Sequence, residues 1–138
     1  MSVPRVLIVD DNALNLELAR IVLEADGFAV ACAGDASAAV PLVESFAPDL
    51  ILMDIQMKGV DGLELTRRFK SDAATRDILI VAFTAYAMKG DEAKLRAAGC
   101  DAYLSKPIDV ATFAASVRAC LTARAAPPGT PPEPPGAG

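Results

Sequence analysis

The sequence predicts a doubly wound α/β fold, with five parallel strands in one sheet and helices on both faces. Three observations carry this reading. Short apolar runs alternate with longer stretches of helical period along the chain, the pattern of a parallel sheet joined by crossover helices. The runs are solid rather than alternating, as strands covered on both faces are. At 138 residues and 53% hydrophobic, the chain is long enough for one domain with its own core.

The strand candidates are "RVLIV" (5–9), "FAVAC" (28–32), "LILM" (50–53), "ILIVAF" (78–83) and "AYL" (102–104). They are too short for amphipathic helices, and most carry β-branched residues. Helices are predicted over 13–26, 35–46, 62–71, 87–98 and 109–123. In the first, Leu14, Leu18, Ile21, Val22 and Ala25 share one face, expected to be the core face, and Gly27 supplies the stop. In the last, Val110, Phe113, Ala114, Val117, Cys120 and Leu121 repeat that spacing. Gly99 closes the fourth. Pro41 falls inside the second, where it removes a hydrogen bond and crowds the preceding turn; that helix is expected to kink or to start late. Right-handed crossovers and five strands suit the flavodoxin-like order 2-1-3-4-5. The folded domain is expected over 1–124. Residues 125–138, ending "PPGTPPEPPGAG", are almost all Pro, Gly and Ala and read as a disordered tail, in preference to a PxxP ligand.

Composition excludes several function classes. Lys and Arg total 13 against 18 Asp and Glu, a net charge of −5, which argues against nucleic acid as a partner. The first apolar run meets Asp10 at once, so it is no secretory signal. No run approaches the roughly 20 apolar residues of a membrane span. Three scattered cysteines without a CxxC read as reduced thiols of a cytoplasmic protein. The sequence has no histidine, which removes the usual zinc sites and the Ser-His-Asp triad.

Asp54 closes the apolar run Leu50-Ile51-Leu52-Met53, where an unpaired carboxylate would cost several kcal/mol, on the order of 2–7 for a polar group and more for a charge. Ligands of a doubly wound sheet bind beyond the carboxyl ends of its strands. At those ends stand Asp10 and Asp11, Asp54, Thr84 and Lys106. Taken singly, each acid reads as a helix cap or loop residue, Thr84 as a loop hydroxyl and Lys106 as a surface charge. Their conjunction at the ends of central strands reads as a site. Three neighbouring carboxylates repel and call for a cation. Oxygen-only donors select a hard divalent ion, Mg²⁺ first, with Mn²⁺ a substitute. Such an ion beside a lysine and a hydroxyl suits a phosphoryl group. Without a glycine-rich phosphate loop, the carboxylate of Asp54 is itself the plausible nucleophile.

At these residues the sequence resembles the receiver domain of two-component response regulators. The matching pieces are "VLIVDDN", "PDLILMDIQM" followed by "DGLEL", and "IVAFTAYAMKGDEAKLRAAGCDAYLSKPI". They span residue 4 to about 122, and their wording is closest to stand-alone, CheY-like single-domain regulators and to receivers attached to hybrid kinases. The resemblance implies that Asp54 is the phosphoacceptor and that Asp11 ligates Mg²⁺ directly, with Asp10 acting largely through water. It makes the backbone carbonyl of Gln56 a further ligand, Thr84 the switch hydroxyl, Tyr103 the aromatic that turns inward with it, and Lys106 the phosphate partner. It implies a cis Lys106–Pro107 peptide, and that Gln56 and Tyr86 tune the rate of phosphate loss. Tyr86 is bulky, which favours a long-lived phosphoryl state. Lys58 stands where the family usually has proline, which leaves that loop's conformation open.

The resemblance further implies a phosphohistidine donor, on a histidine kinase or histidine phosphotransfer protein, and output through protein contacts rather than substrate turnover. The expected output face includes Met88, Lys89, Lys94 and Tyr103. Leu16 and Leu23, seven apart and off the expected core stripe of the first helix, are expected to form a docking patch for the donor's helices. The alternatives within the family are a phosphate sink or shuttle and a receiver belonging to a hybrid kinase; the initiator Met close to the first strand favours a stand-alone protein. Outside it, a Mg²⁺-dependent phosphohydrolase lacks a cap insertion or second general acid here, and a flavin or nucleotide module would meet repulsion from the acids.

Overall fold

The computed structural model describes residues 3–57, 60–84, 89–106 and 108–125; for 56, 57, 60, 61, 89–92, 124 and 125 it describes the backbone only. Lys58, Tyr86, Met88, the Lys106–Pro107 peptide and residues 126–138 therefore lie outside the described residues. Twelve elements follow one another: β1 (Arg5–Val9), α1 (Ala13–Ala25), β2 (Ala29–Ala33), α2 (Ala36–Phe46), β3 (Leu50–Asp54), β4 (Gln56–Met57), β5 (Val60–Asp61), α3 (Gly62–Ser71), β6 (Leu79–Thr84), α4 (Lys89–Ala98), β7 (Ala102–Ser105) and α5 (Phe113–Ala125). The main sheet runs β2-β1-β3-β6-β7, all parallel. Counted by its own strands this is the predicted order 2-1-3-4-5. The antiparallel ribbon β4–β5 has no counterpart in the sequence reading, because two-residue strands carry no periodicity.

Successive strand residues point to opposite faces, which splits the core in two. Leu7, Val9, Ile51, Met53, Ile80 and Ala82 pack with Ala39 and Val43 of α2, Leu65 and Phe69 of α3, and Leu95 of α4. Val6, Ile8, Leu50, Leu52, Val81 and Phe83 pack with Ala19 and Leu23 of α1 and Phe113 and Val117 of α5. Polar clamps tie the connections to the sheet. Lys70 Nζ donates to Asp101 Oδ2 at 2.7 Å and to the Ile78 carbonyl at 2.8 Å, while the same Asp101 oxygen accepts from Ile80 N at 2.9 Å. Arg118 Nη2 reaches the Asp26 carboxylate at 2.9 Å and its carbonyl at 2.7 Å, with the guanidinium 4.5 Å from the Phe28 ring centre. The three cysteines are free thiols, and burial holds all three above the ordinary thiol range. Among the described residues no helix is long and apolar enough to cross a membrane.

Three expectations are corrected or narrowed. First, α1 turns the other way. Ala19 and Leu23 are fully buried, Leu16 and Val22 pack against the core, and Leu14, Leu18 and Ile21 are exposed at 78%, 38% and 53%. The helix carries two apolar stripes of the same period. Its cap decides between them: Asn12 Oδ1 accepts from the Leu14 and Asn15 amides at 3.0 and 3.1 Å, fixing the helix start, and small Ala19 lets the helix lie close to the sheet. Leu23 is thus a core residue and no part of a docking patch.

Second, α2 does not start late. Asp35 caps it, accepting from Ala38 N at 2.8 Å, and the helix continues through Pro41 to Phe46. Pro41 lies on the exposed face, where water can meet the Ser37 carbonyl that loses its usual donor. Third, α5 begins at Phe113 rather than at 109. Asp109 Oδ1 accepts from Ala111 N at 3.0 Å, and its carbonyl accepts from Phe113 N at 2.8 Å. These are cap bonds, and they close residues 110–112 into a turn that leads into the helix and leaves Val110 63% exposed.

The orientation of α1 is open to direct measurement. Leu23→Ala is expected to cost about 2–5 kcal/mol of unfolding free energy and Leu14→Ala less than about 0.5, read by urea titration. The reverse ranking would restore the face read from the sequence.

Candidate functional site

The five chemistry-bearing residues meet because every strand of the main sheet runs the same way and ends on the same edge. Register sets their spacing. Val9 pairs with Met53, so Asp10 stands beside Asp54; Asp54 pairs with Phe83, one residue before Thr84; Thr84 pairs with Ser105, one residue before Lys106. Backbone bonds extend this edge past the strand ends, from Asp10 N to the Ala33 carbonyl at 3.1 Å and from Lys106 N to the Thr84 carbonyl at 2.9 Å.

Asp10, Asp54 and Thr84 are buried, at 0%, 2% and 4% exposure, whereas Asp11 is exposed. Lys106 Nζ lies 3.1 Å from Asp10 Oδ2 and 3.3 Å from Asp54 Oδ1. One ammonium therefore bridges the two buried carboxylates. Asp10 Oδ1 also accepts from Asn12 N at 2.8 Å, and its Oδ2 from Asn15 Nδ2 at 3.4 Å. Among the described residues, no buried side-chain oxygen or nitrogen is left without a partner. The alternative in which an acid serves as the cap of α1 does not apply, because Asn12 is the cap.

The cluster fits a hard divalent cation. One carboxylate oxygen each from Asp10, Asp11 and Asp54 lie within 4.8 Å of one another. The donors are all oxygen, and the exposed Asp11 lines the approach; this is the chemistry of Mg²⁺ and Mn²⁺ sites. Gln56 begins the short ribbon two residues beyond Asp54 and pairs with Asp61. Tyr103 stands on the edge strand β7 with 38% exposure. Lys94 is exposed on α4, and Lys89 begins that helix. Leu16, half-buried against the core, and Leu23, fully buried, are not brought to a shared surface.

Gly62 belongs to this site although the sequence reading gave it no role. It is the first residue of α3, and a Cβ built on it would lie 2.3 Å from the Asp54 carbonyl oxygen and 2.8 Å from Ile55 Cα. Both are backbone atoms, so a side chain there would force α3 away from the carboxyl end of β3, where Asp54 stands. Gly62 N donates to the Ile55 carbonyl at 3.3 Å, and the buried Thr66 hydroxyl donates to the Gly62 carbonyl at 2.8 Å. The Asp-Gly pair in "VDGLEL" was the available signal, but only the packing shows what the missing side chain makes room for. Asn15 was passed over because asparagine early in a helix reads as neutral polar surface.

Residues 6–118 match the response regulator receiver domain family. Over 116 residues the chain is 46% identical to the polar-differentiation response regulator DivK of Brucella anthropi, covering 84% of this chain and 94% of that protein. The DivK of Brucella ovis matches with the same identity and coverage. Among solved structures, a CheY-like receiver domain protein from Methanospirillum hungatei superposes with a TM-score of 0.80 at 27% identity, covering 90% of this chain and 98% of that one. The chemotaxis response regulator CheY4 of Vibrio cholerae superposes at 0.81 with 21% identity, covering 86% and 99%, a likeness of fold. By this match and this identity, the chain belongs to the response regulator receiver domain family.

Proposed function

We propose that the protein is a single-domain response regulator in which Asp54 accepts a phosphoryl group from phosphohistidine on a histidine kinase or histidine phosphotransfer protein. The observation that carries this reading is the bridge from Lys106 to both Asp10 and Asp54 at the edge where three carboxylates converge. A carboxylate oxygen of Asp54 attacks phosphorus and the P–N bond breaks. The imidazole leaves with the electron pair and takes up a proton. Asp54 sits at the end of a fully buried strand, so its carboxylate is held for in-line attack, and positioning is most of what phosphoryl transfer asks of a protein. A divalent ion held by Asp11, Asp54 and the Gln56 carbonyl, with Asp10 through water, would neutralise phosphoryl oxygens. Lys106 pairs a further phosphoryl oxygen, and the Thr84 hydroxyl donates to another. Thr84 and Tyr103 then report occupancy to the surface of α4, where Lys94 is exposed. Gln56 and Tyr86 govern the access of hydrolytic water.

With Leu23 in the core, we assign the donor's docking surface to the other stripe of α1. The exposed stripe on α1 is Leu14, Leu18 and Ile21, and α1 begins two residues after Asp11. An apolar stripe beside the acceptor suits the helices that carry a phosphohistidine.

Three outcomes are expected. With acetyl phosphate, a phosphate-affinity gel shows a slower band that needs Mg²⁺ and is lost in Asp54→Asn; wild type that never shifts, with acetyl phosphate or with phosphorylated donor protein, would sink the proposal. Gly62→Ala lowers the labelling rate by about tenfold to a hundredfold, the scale of a 1 Å misplacement, and an unchanged rate would mean that α3 yields without moving Asp54. Leu18→Glu raises the KM for the phosphodonor protein by roughly tenfold, on the order of one hot-spot residue; an unaltered KM would place docking elsewhere.

A further inference from the structure

Lys106 is a long, flexible side chain with three rotatable donors, yet its ammonium must sit at one point beside Asp54. In the resting protein Asp10 and Asp54 hold it. Both holds change in the proposed cycle, because Asp54 becomes an acyl phosphate and Asp10 turns to the cation. A third contact does not depend on either. Lys106 Nζ lies 5.3 Å from the centre of the Phe83 ring, within the range of a cation–π interaction. Phe83 is 1% exposed and pairs directly with Asp54 across the β3–β6 ladder. Its ring is pinned from below by Phe113, the first residue of α5, with centroids 5.7 Å apart and planes at 38°.

We propose that Phe83 is a positioning residue: its ring face is the platform that keeps the Lys106 ammonium level with Asp54 while the carboxylates change partners. A ring suits this task because its quadrupole attracts the cation without consuming an N–H. All three donors stay available to oxygen. The strand ladder fixes the height of the platform, so the distance from cation to nucleophile is set by backbone pairing. Donors aimed before the reaction need no reorganisation during it. The inference rests on the phosphoacceptor reading above and adds a residue that acts through Lys106.

The test replaces Phe83 in the full chain with mono-, di- and trifluorophenylalanine, which keep the ring's shape and drain its quadrupole, and with Leu, which keeps apolar bulk. The rate of Mg²⁺-dependent labelling of Asp54 by acetyl phosphate is expected to fall stepwise with fluorination, roughly three- to tenfold at the trifluoro ring, at constant melting temperature. By NMR, the Lys106 ε-methylene protons are expected upfield in wild type and at their ordinary position in Phe83→Leu. If Phe83→Leu does not fold, the fluorinated series decides. A flat series in protein that is otherwise labelled normally overturns this inference alone. A fall that tracks a falling melting temperature also overturns it, since that is a packing effect. Wild type left unlabelled by acetyl phosphate and by phosphorylated donor protein alike overturns the phosphoacceptor reading, and this inference with it.

Discussion

Two buried carboxylates, Asp10 and Asp54, end adjacent strands, and the same ammonium, that of Lys106, touches both. Taking a carboxylate out of water costs several kcal/mol even after relaxation, so the end of this sheet stands only if its charges are met. Lys106, the Asn12 amide and the Asn15 side chain supply part of the answer. Asp11 adds a third carboxylate oxygen to the same cluster. In the proposed function this acidic cluster sets the order of events. A cation would be drawn in before a phosphoryl group, whose negative charge the carboxylates oppose until the cation is held.

The surrounding fold works to keep this cluster in place. Parallel register puts the acids, Thr84 and Lys106 on one edge. Gly62 lets α3 abut the Asp54 carbonyl itself. Asn12 serves twice, capping α1 with its side chain and holding Asp10 with its amide. That second role couples the site to the exposed stripe of α1, the proposed docking surface: the residues that orient Asp10 also fix where α1 starts, and so which leucines it shows to solvent.

Much of this was legible in the chain. Solid apolar runs revealed all five strands of the main sheet to within a residue at each end, since strands sealed on both faces have few alternatives. The rule that ligands gather at carboxyl strand ends then singled out Asp10, Asp11, Asp54, Thr84 and Lys106 without coordinates. The face of α1 was not legible, because two apolar stripes of equal period compete and the weaker-looking one contains alanine, whose value lies in close approach rather than in bulk. The start of α5 was hidden by Asp109, whose local bonds resemble a helix cap placed too early. Gly62 and Phe83 escaped for a shared reason: what each does depends on a neighbour distant in sequence, the Asp54 carbonyl for one and the Lys106 ammonium for the other.

The sheet's order also separates what must stay still from what can respond. Every residue of β3 is buried, as is every residue of β6, whereas β7 at the edge alternates half-buried with exposed positions. A nucleophile is best mounted where nothing can yield, and Asp54, the proposed one, is mounted there. A signal needs the opposite, a place where a side chain can exchange water for protein at little cost. Tyr103, exposed on β7 two residues before the position that pairs with Thr84, is such a place. In the proposed cycle a charge arriving at Asp54 cannot be relieved along β3. It is relieved through Thr84 and Lys106, whose strands lie progressively nearer the edge, so rigidity at the centre directs the response outward.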